Sequence, residues 1–177
     1  MKLKIAVLPG DGIGPEVTNQ SIKVLNCIAD KYNHKIELTE GLVGAIAIDE
    51  YNDPYPDSTH KLCKDSDAIL FGAIGDPKYD NNPKAKVRPE QGLLKMRKKL
   101  GLFANLRPTI IFESLLDMSP IKEERIKDTD ILFVRELTGG IYFGEPRGIK
   151  PIENGERKGI NTHTYTSSEI VRVAKIA

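Results

Sequence analysis

Short apolar runs alternate with amphipathic stretches along the first hundred residues of the chain. Residues 4–8 (KIAVL) and 67–73 (DAILFGA) are apolar at nearly every position, which is typical of strands buried on both faces. Residues 35–39 predict a further strand. Because helical patterns separate these strands, the chain is predicted to adopt an α/β fold with a parallel, doubly wound sheet flanked by helices.

Helix start and stop signals mark the stretches between these strands. Pro15 stands at the first position of a helix, where its missing N–H is not needed. Gly101 follows the basic stretch EQGLLKMRKKL and predicts the end of a helix. Further helices are predicted at residues 43–49, 57–64 and 90–100. Residues 75–90 are polar and rich in proline, which predicts a long loop of functional or flexible character.

The second half of the chain predicts strands, a hairpin and a last helix. Strands are predicted at residues 102–109, 131–134 and 141–143, with a charged helix at residues 122–127. Residues 149–152 and 158–166 alternate apolar and polar side chains around Asn154 and Gly155, a strong hairpin signal. Thr166 and Glu169 form a capping box that opens the last helix. This helix reaches Ala177 with no glycine or proline to end it, and we expect the chain to be truncated there.

Composition narrows the range of functions. The chain has 177 residues, 40% of them hydrophobic and 29% charged, with a net charge of +1, which is typical of a globular protein and gives no reason to predict nucleic acid or membrane as a partner. No apolar run approaches the roughly 20 residues of a membrane span, and the start lacks a secretory signal pattern. Cys27 and Cys63 stand apart and the three histidines show no metal spacing, so we predict a cytoplasmic protein with buried, reduced thiols.

The glycines near the start do not form a dinucleotide fingerprint. Gly10, Gly12 and Gly14 suggest the pattern G-x-G-x-x-G, but Pro15 occupies the position where the third glycine of that pattern belongs. A tight turn between a strand and a helix close to a cofactor is still predicted. A pyrophosphate site of the Rossmann type is not.

The clearest candidate chemistry lies where the apolar strand 131–134 becomes polar. Arg135 offers a fork of donors to a carboxylate, and Tyr142 offers a phenol that can donate or accept a proton. We expect a parallel strand that carries these side chains at its carboxyl end, where ligands bind in open α/β sheets. A strand end with a solvated arginine and a half-buried tyrosine is the alternative, and for single residues of these types it is the more common one.

Three long motifs settle this choice through a resemblance. LPGDGIGPEV (residues 8–17), LLKMRKKLGLFANLRP (93–108) and RELTGGIYFGEPRG (135–148) together resemble the 3-isopropylmalate dehydrogenases. These belong to the wider family of decarboxylating β-hydroxyacid dehydrogenases, with isocitrate, homoisocitrate and tartrate dehydrogenases. The resemblance runs from Lys4 to Ala177, yet such enzymes are much longer. We therefore expect an amino-terminal half with the parallel or mixed sheet of that family, flanked by helices, in two incomplete domains plus a hairpin arm.

The resemblance implies the NAD-dependent oxidative decarboxylation of 3-isopropylmalate to 4-methyl-2-oxopentanoate, a step of leucine biosynthesis. It implies that Arg97, Arg107 and Arg135 bind the substrate carboxylates and that Tyr142 is the general acid. Leu93 and Leu94, with the stem of Glu90, would form the wall for the isopropyl group. This leucine pair favours isopropylmalate over isocitrate, because a third carboxylate suits smaller polar residues.

The resemblance also implies cofactors and partners. The residues that it assigns to NAD are Ile13, Ala73, Ile74, Gly75, Pro77, Lys78, Tyr79, Asp80 and Glu90. A Mg²⁺ or Mn²⁺ ion is expected, with its ligands and the catalytic lysine in the missing half. Residues 1–101 would begin the cofactor-side domain and residues 102–177 the dimerisation and substrate domain. The hairpin arm, residues 149–166, would pair with its twin in a homodimer.

Two alternatives remain at this stage. The chain is a piece of a working dehydrogenase of this kind, or a short non-catalytic chain that folds or binds a partner. If the chain is part of a dehydrogenase, a related homoisocitrate, tartrate or isocitrate activity is the alternative to the isopropylmalate activity. We expect residues 1–177 alone to be inactive, because no lysine base or metal carboxylates are predicted in them.

Overall fold

The chain forms two compact units, Met1–Leu100 and Gly101–Ala177. The structure is a computed structural model that describes residues 1–80, 82 and 85–177. Each unit combines strands with helices, so the predicted α/β class is confirmed. The roles assigned to residues 1–101 and 102–177 stay predictions.

A parallel sheet forms the centre of the first unit. Its strands are β1 (Lys2–Gly10), β2 (Lys35–Glu40) and β3 (Ala68–Ala73), in the order β2-β1-β3. Both neighbours of β1 run parallel to it, as the apolar runs predicted. Residues Ile5–Leu8 of β1 are buried, because this strand has a partner on each edge and cover on each face.

Five helices surround this sheet in the described part of the unit. They are α1 (Gly14–Lys31), α2 (Ala45–Tyr51), α3 (Asp57–Lys64), α4 (Pro77–Asp80) and α5 (Pro89–Leu100). Gly101 follows α5 with a φ of +66°, which confirms the predicted helix end. A core of Ala6, Leu8, Val43, Tyr55, Cys63 and Met96 lies between the sheet and the helices, with Leu93 and Ile74 packed against it. Cys63 is thus buried as predicted, whereas Cys27 is exposed and the prediction is wrong there.

The helix α4 was not predicted, because residues 75–90 were assigned to a loop. The local sequence explains it. Asp76 accepts a hydrogen bond from the backbone N–H of Lys78 at 2.9 Å, and Pro77 occupies the first helical position. Residues 81, 83 and 84 of the predicted loop lie outside the described residues.

An antiparallel pair of strands begins the second unit. The strands β4 (Ala104–Ile110) and β5 (Asp130–Glu136) pair with Asn105 opposite Arg135 and Arg107 opposite Phe133. The prediction that Arg135 ends a parallel strand is therefore wrong. The connection from β4 to β5 holds only a 3₁₀ turn, Glu113–Met118, and the single helical turn α6 (Glu123–Ile126), not a helix that carries the chain back across a sheet.

The hairpin and the last helix follow the prediction in part. The strands β6 (Gly148–Pro151) and β7 (Arg157–Ile160) are antiparallel, and Asn154 and Gly155 have φ of +63° and +76°, as the turn requires. The second strand ends six residues earlier than predicted. The helix α7 (Ser167–Ala174) opens with the predicted capping box.

The prediction of a strand at residues 141–143 is wrong. Gly140–Tyr142 form a 3₁₀ turn, with the N–H of Phe143 bonded to the carbonyl of Gly140 at 3.3 Å. Gly140 has a φ of +60°, and the ring of Tyr165 occupies the space that a Cβ would need. Glycine therefore allows the tight turn and the close cover by Tyr165.

Candidate functional site

The carboxyl ends of β1 and β3 form the edge of the first unit where a ligand is expected. The chain leaves β1 for β2 on one side and later returns to β3 on the other side, so the strand order reverses between β1 and β3. Open α/β sheets bind ligands at such a reversal. Of the predicted cofactor residues, Ala73 ends β3 and is followed by Ile74 and Gly75, and Ile13, which is 57% exposed, follows the end of β1.

Asp11 organises this edge, and the sequence analysis did not identify it. Its carboxylate accepts hydrogen bonds from the backbone N–H groups of Ala45 at 2.8 Å, Ile46 at 3.1 Å and Gly75 at 3.2 Å. Its own N–H donates to the carbonyl of Ala73 at 2.7 Å, and the residue is buried. Asp11 therefore caps α2 and fixes the start of the predicted cofactor segment. An aspartate between two glycines signals a turn, but the partners 34 to 64 residues away are not visible in the sequence.

The rest of the predicted cofactor segment forms α4, which contains Pro77, Lys78, Tyr79 and Asp80. Lys78 and Tyr79 both bind Asp49 of α2, at 2.5 Å and 3.4 Å. The hydrogen bond to Asp49 raises the pKa of Lys78 above its ordinary value. The side chain of Glu90, the second residue of α5, comes within 3.9 Å of where a Cβ of Gly75 would lie. The structure thus brings Asp11, Gly75 and Glu90 into one neighbourhood.

The helix α5 carries the remaining predicted residues of the first unit. Glu90, Leu93, Leu94 and Arg97 recur at three- and four-residue spacing. Leu93 packs against the core, whereas Leu94 and Arg97 are half-buried and are not among the residues of that core cluster. Leu93 therefore has a packing role besides the one predicted for it.

Arg107 and Arg135 share one face of the β4–β5 pair. Arg135 lies opposite Asn105, and Arg107 lies two residues further along β4, so the three side chains point to the same side. The Nε of Arg107 donates to Oδ1 of Asn105 at 2.9 Å. Diagonal neighbours in such a pair lie about 7–8 Å apart. Within the described residues neither arginine forms an ion pair with a carboxylate.

Tyr142 joins this face through Arg135. The guanidinium of Arg135 donates a hydrogen bond to the phenol oxygen of Tyr142, and its Cζ lies 5.4 Å from the centre of the ring. Two cations and a phenol therefore meet on an exposed surface. Such a set can bind carboxylates by paired hydrogen bonds and present a proton donor beside them.

The turn between Arg135 and Tyr142 is built on Glu136. The carboxylate of Glu136 accepts hydrogen bonds from the N–H groups of Thr138 and Gly139 at 2.8 Å and 2.7 Å, and from Arg172 of α7 at 3.2 Å. Burial by itself raises the pKa of Glu136, but the hydrogen bonds outweigh burial and the pKa is lowered. Sequence reasoning missed this role, although a glutamate two residues before T-G-G was a signal for a capped turn.

Two kinds of site are not found in the described part of the chain. No group of three or more histidine, cysteine, aspartate or glutamate side chains could hold a metal ion there. No helix among those residues is both long and apolar enough to cross a membrane.

Comparisons with known proteins give the same picture along the whole chain. The sequence pattern of the isocitrate/isopropylmalate dehydrogenase family matches residues 4–177. The chain is 55% identical over 174 residues to the 3-isopropylmalate dehydrogenase of Aquifex aeolicus (strain VF5), with 98% of the chain and 47% of that protein covered. It is 51% identical over 175 residues to that of Bacillus subtilis (strain 168), covering 99% of the chain and 48% of the relative. The chain thus spans about half the length of these relatives.

Solved structures show the same fold. The crystal structure of isocitrate dehydrogenase from Methylococcus capsulatus matches with a TM-score of 0.73 and 22% identity, over 98% of this chain and 46% of that one. A β-decarboxylating dehydrogenase from Thermococcus kodakarensis matches with a TM-score of 0.64 and 28% identity, over 98% and 44%.

Proposed function

Because the chain belongs to the isocitrate/isopropylmalate dehydrogenase family, we propose that it is part of an NAD-dependent 3-isopropylmalate dehydrogenase. The reaction oxidises the C2 hydroxyl of 3-isopropylmalate, with NAD as the hydride acceptor, and releases a carboxylate as carbon dioxide. The products are 4-methyl-2-oxopentanoate, carbon dioxide and NADH. The enzyme would act as a cytoplasmic homodimer in leucine biosynthesis, with the hairpin arm β6–β7 as the contact between subunits.

The observation that carries this proposal is the pair of arginines on one face of β4–β5. Arg107 and Arg135 have no carboxylate partner in the described residues, and the substrate brings two carboxylates. Each guanidinium can bind a carboxylate through two parallel hydrogen bonds, which fixes the substrate in orientation as well as in position. Arg97 is assigned to the same role on the resemblance.

Tyr142 is the proposed general acid. Its phenol already contacts Arg135, so a carboxylate bound by that arginine lies beside the proton donor. After carbon dioxide leaves, the substrate carbon that carried it needs a proton, and a positioned phenol can donate one. Arg135 would then bind the substrate and orient the acid together.

The edge at the ends of β1 and β3 is the proposed NAD site. Gly75 offers a surface without a side chain close to Gly12, the residue before the exposed Ile13, and Asp11 holds the backbone there. The residues proposed to contact NAD are Ile13, Ala73, Ile74, Gly75, Pro77, Lys78, Tyr79, Asp80 and Glu90. A Mg²⁺ or Mn²⁺ ion would supply Lewis-acid polarisation of the C2 oxygen, but the described residues offer no ligand cluster and we assign none of them to the metal.

A chimeric enzyme tests the proposal. Residues 1–177 would replace the matching segment of the Aquifex aeolicus enzyme, which is 55% identical over this region. We expect the chimera to produce NADH from 3-isopropylmalate, NAD and Mn²⁺, and the 177-residue chain alone to produce none. The chimera with Tyr142→Phe serves as the control. A folded chimera that oxidises isocitrate but not isopropylmalate would contradict the proposal.

A further inference from the structure

Arg147 binds the backbone of the turn that carries Tyr142. Its Nη2 donates to the carbonyl oxygen of Ile141 at 2.6 Å, and its Nη1 donates to the carbonyl oxygen of Tyr142 at 3.1 Å. Two successive carbonyls are thus held by the two ends of one planar guanidinium. Arg147 is not among the residues that the sequence analysis singled out.

The segment around Arg147 is itself fixed at several points. The backbone N–H of Arg147 donates to the Glu145 carboxylate at 3.0 Å, and Nη2 also approaches Oδ1 of Asn161 at 3.5 Å. The hydroxyl of Thr162 donates to the carbonyl of Pro146 at 2.6 Å. The guanidinium therefore connects the Tyr142 turn to the base of the hairpin arm.

The 3₁₀ turn needs such a partner. It is only three residues long, Gly140–Tyr142, and the last carbonyls of a short helical segment have no partner within it. Without the guanidinium, the carbonyls of Ile141 and Tyr142 would accept hydrogen bonds from water instead, and the turn would sample other conformations. The phenol of Tyr142 stays against Arg135 only while the turn keeps its geometry.

We propose that Arg147 is a positioning residue that holds the Tyr142 phenol against Arg135 through the backbone of the turn. The part of this proposal that concerns the position of the Tyr142 phenol rests on the contacts alone. Its consequence for catalysis rests on the proposed function of Tyr142. Arg147 touches neither substrate nor cofactor in this proposal, and it acts only through the Ile141 and Tyr142 carbonyls.

Fluorine NMR on the 177-residue chain tests the positional statement without any activity. The chain contains six tyrosines, which would be labelled as 3-fluorotyrosine, and Tyr142→Phe identifies the Tyr142 signal. We expect Arg147→Met to shift that signal towards its position in Arg135→Met. Arg157→Met, the same change at an exposed arginine of β7, should leave it in place.

A conservative variant guards against misfolding. Arg147→Lys keeps the charge but not the fork of donors, so the Tyr142 signal should lie between those of the parent and Arg147→Met. A Tyr142 signal that is unchanged in both folded variants would overturn the proposal. The proposal would also be overturned if Arg157→Met shifted the Tyr142 signal as much as Arg147→Met does.

Kinetics of the chimera test the catalytic consequence. Arg147→Met should lower kcat about tenfold or more and change KM for isopropylmalate less than about threefold. In the Tyr142→Phe background the same change should lower kcat by less than about twofold, because the residue acts through Tyr142. If the kcat losses of Arg147→Met and Tyr142→Phe multiply in the double variant, the proposal that Arg147 acts through Tyr142 is overturned. Full activity of Tyr142→Phe alone would instead refute the proposed function, and the NMR result would still decide the position of the phenol.

Discussion

Glu136 and Arg172 form an ion pair across 36 residues, with Nη2 of the arginine 3.2 Å from Oε1 of the glutamate. The glutamate side chain is only 11% exposed, and the arginine also donates to the hydroxyl of Thr138 at 2.5 Å. The Cζ of Arg172 lies 4.8 Å from the centre of the Phe103 ring. This pair holds α7 to the end of β5, where the proposed substrate arginine Arg135 stands.

The stability of the chain should fall in acid through Glu136. Its pKa in the folded chain is lowered below the ordinary value of 4.5, so its contribution is full above that value and is lost as the pH falls through the folded pKa. Glu136→Gln removes the charge, so we expect a lower Tm at pH 7 and a smaller further loss between pH 5 and pH 3. Thermal unfolding followed by circular dichroism measures both effects.

A matched control for this change is Glu153→Gln, at an exposed glutamate of the hairpin turn. It should leave the Tm and its pH dependence close to those of the parent. If Glu136→Gln and the parent lose the same Tm between pH 5 and pH 3, Glu136 is not the group that titrates.

Replacement of Asp11 should destabilise the first unit. Asp11→Asn keeps the size of the side chain but replaces one of its two acceptor oxygens by an N–H₂, so at least one of the backbone donors Ala45, Ile46 and Gly75 faces another donor. An unsatisfied buried donor costs about 1–3 kcal/mol. Urea unfolding should show a loss of this order, with Asp30→Asn at the exposed end of α1 as the control. Equal midpoints for the two variants would show that the Asp11 carboxylate does not stabilise the fold.

Arg107 should need its guanidinium for substrate binding. Arg107→Lys keeps the positive charge but loses the two parallel donors. In the chimera we expect kcat/KM for isopropylmalate to fall at least about tenfold, or about 1.4 kcal/mol. Arg125→Lys, at an exposed site on α6, is the control. Unchanged kinetics for the lysine variants of Arg97, Arg107 and Arg135 would refute the assignment.

The two leucines of α5 should separate in their effects. Shortening either to alanine should raise KM for isopropylmalate more than for malate, because one apolar contact contributes roughly 1–3 kcal/mol of discrimination. Leu93→Ala should also lower the Tm, since Leu93 packs against the core, whereas Leu94→Ala should do so less. Steady-state kinetics with both substrates, paired with thermal unfolding, check this. Equal effects on the two substrates would mean that the leucines only pack.

The sequence predicted those elements whose signals are local. The helix α3 has the predicted bounds, Asp57–Lys64, and the capping box at Thr166 and the turn at Asn154 follow from neighbouring residues. The run 141–143 was too short to set a period, so a strand and a 3₁₀ turn fitted it equally well. Asp11 and Glu136 were missed because their partners are fixed only by the tertiary fold.

The order of the first sheet also matters while the chain is being synthesised. The central strand β1 is complete at Gly10, but its neighbour β3 ends 63 residues later, at Ala73. At the roughly 5–20 residues per second of translation, this interval lasts roughly 3–13 s. During that time the apolar strand that is most deeply buried in the finished unit has at least one open edge on the ribosome, and both edges are open until β2 is complete at Glu40. We therefore expect the nascent chain to be open to aggregation through β1 during this interval, and a chaperone that binds extended apolar peptides to bind it there.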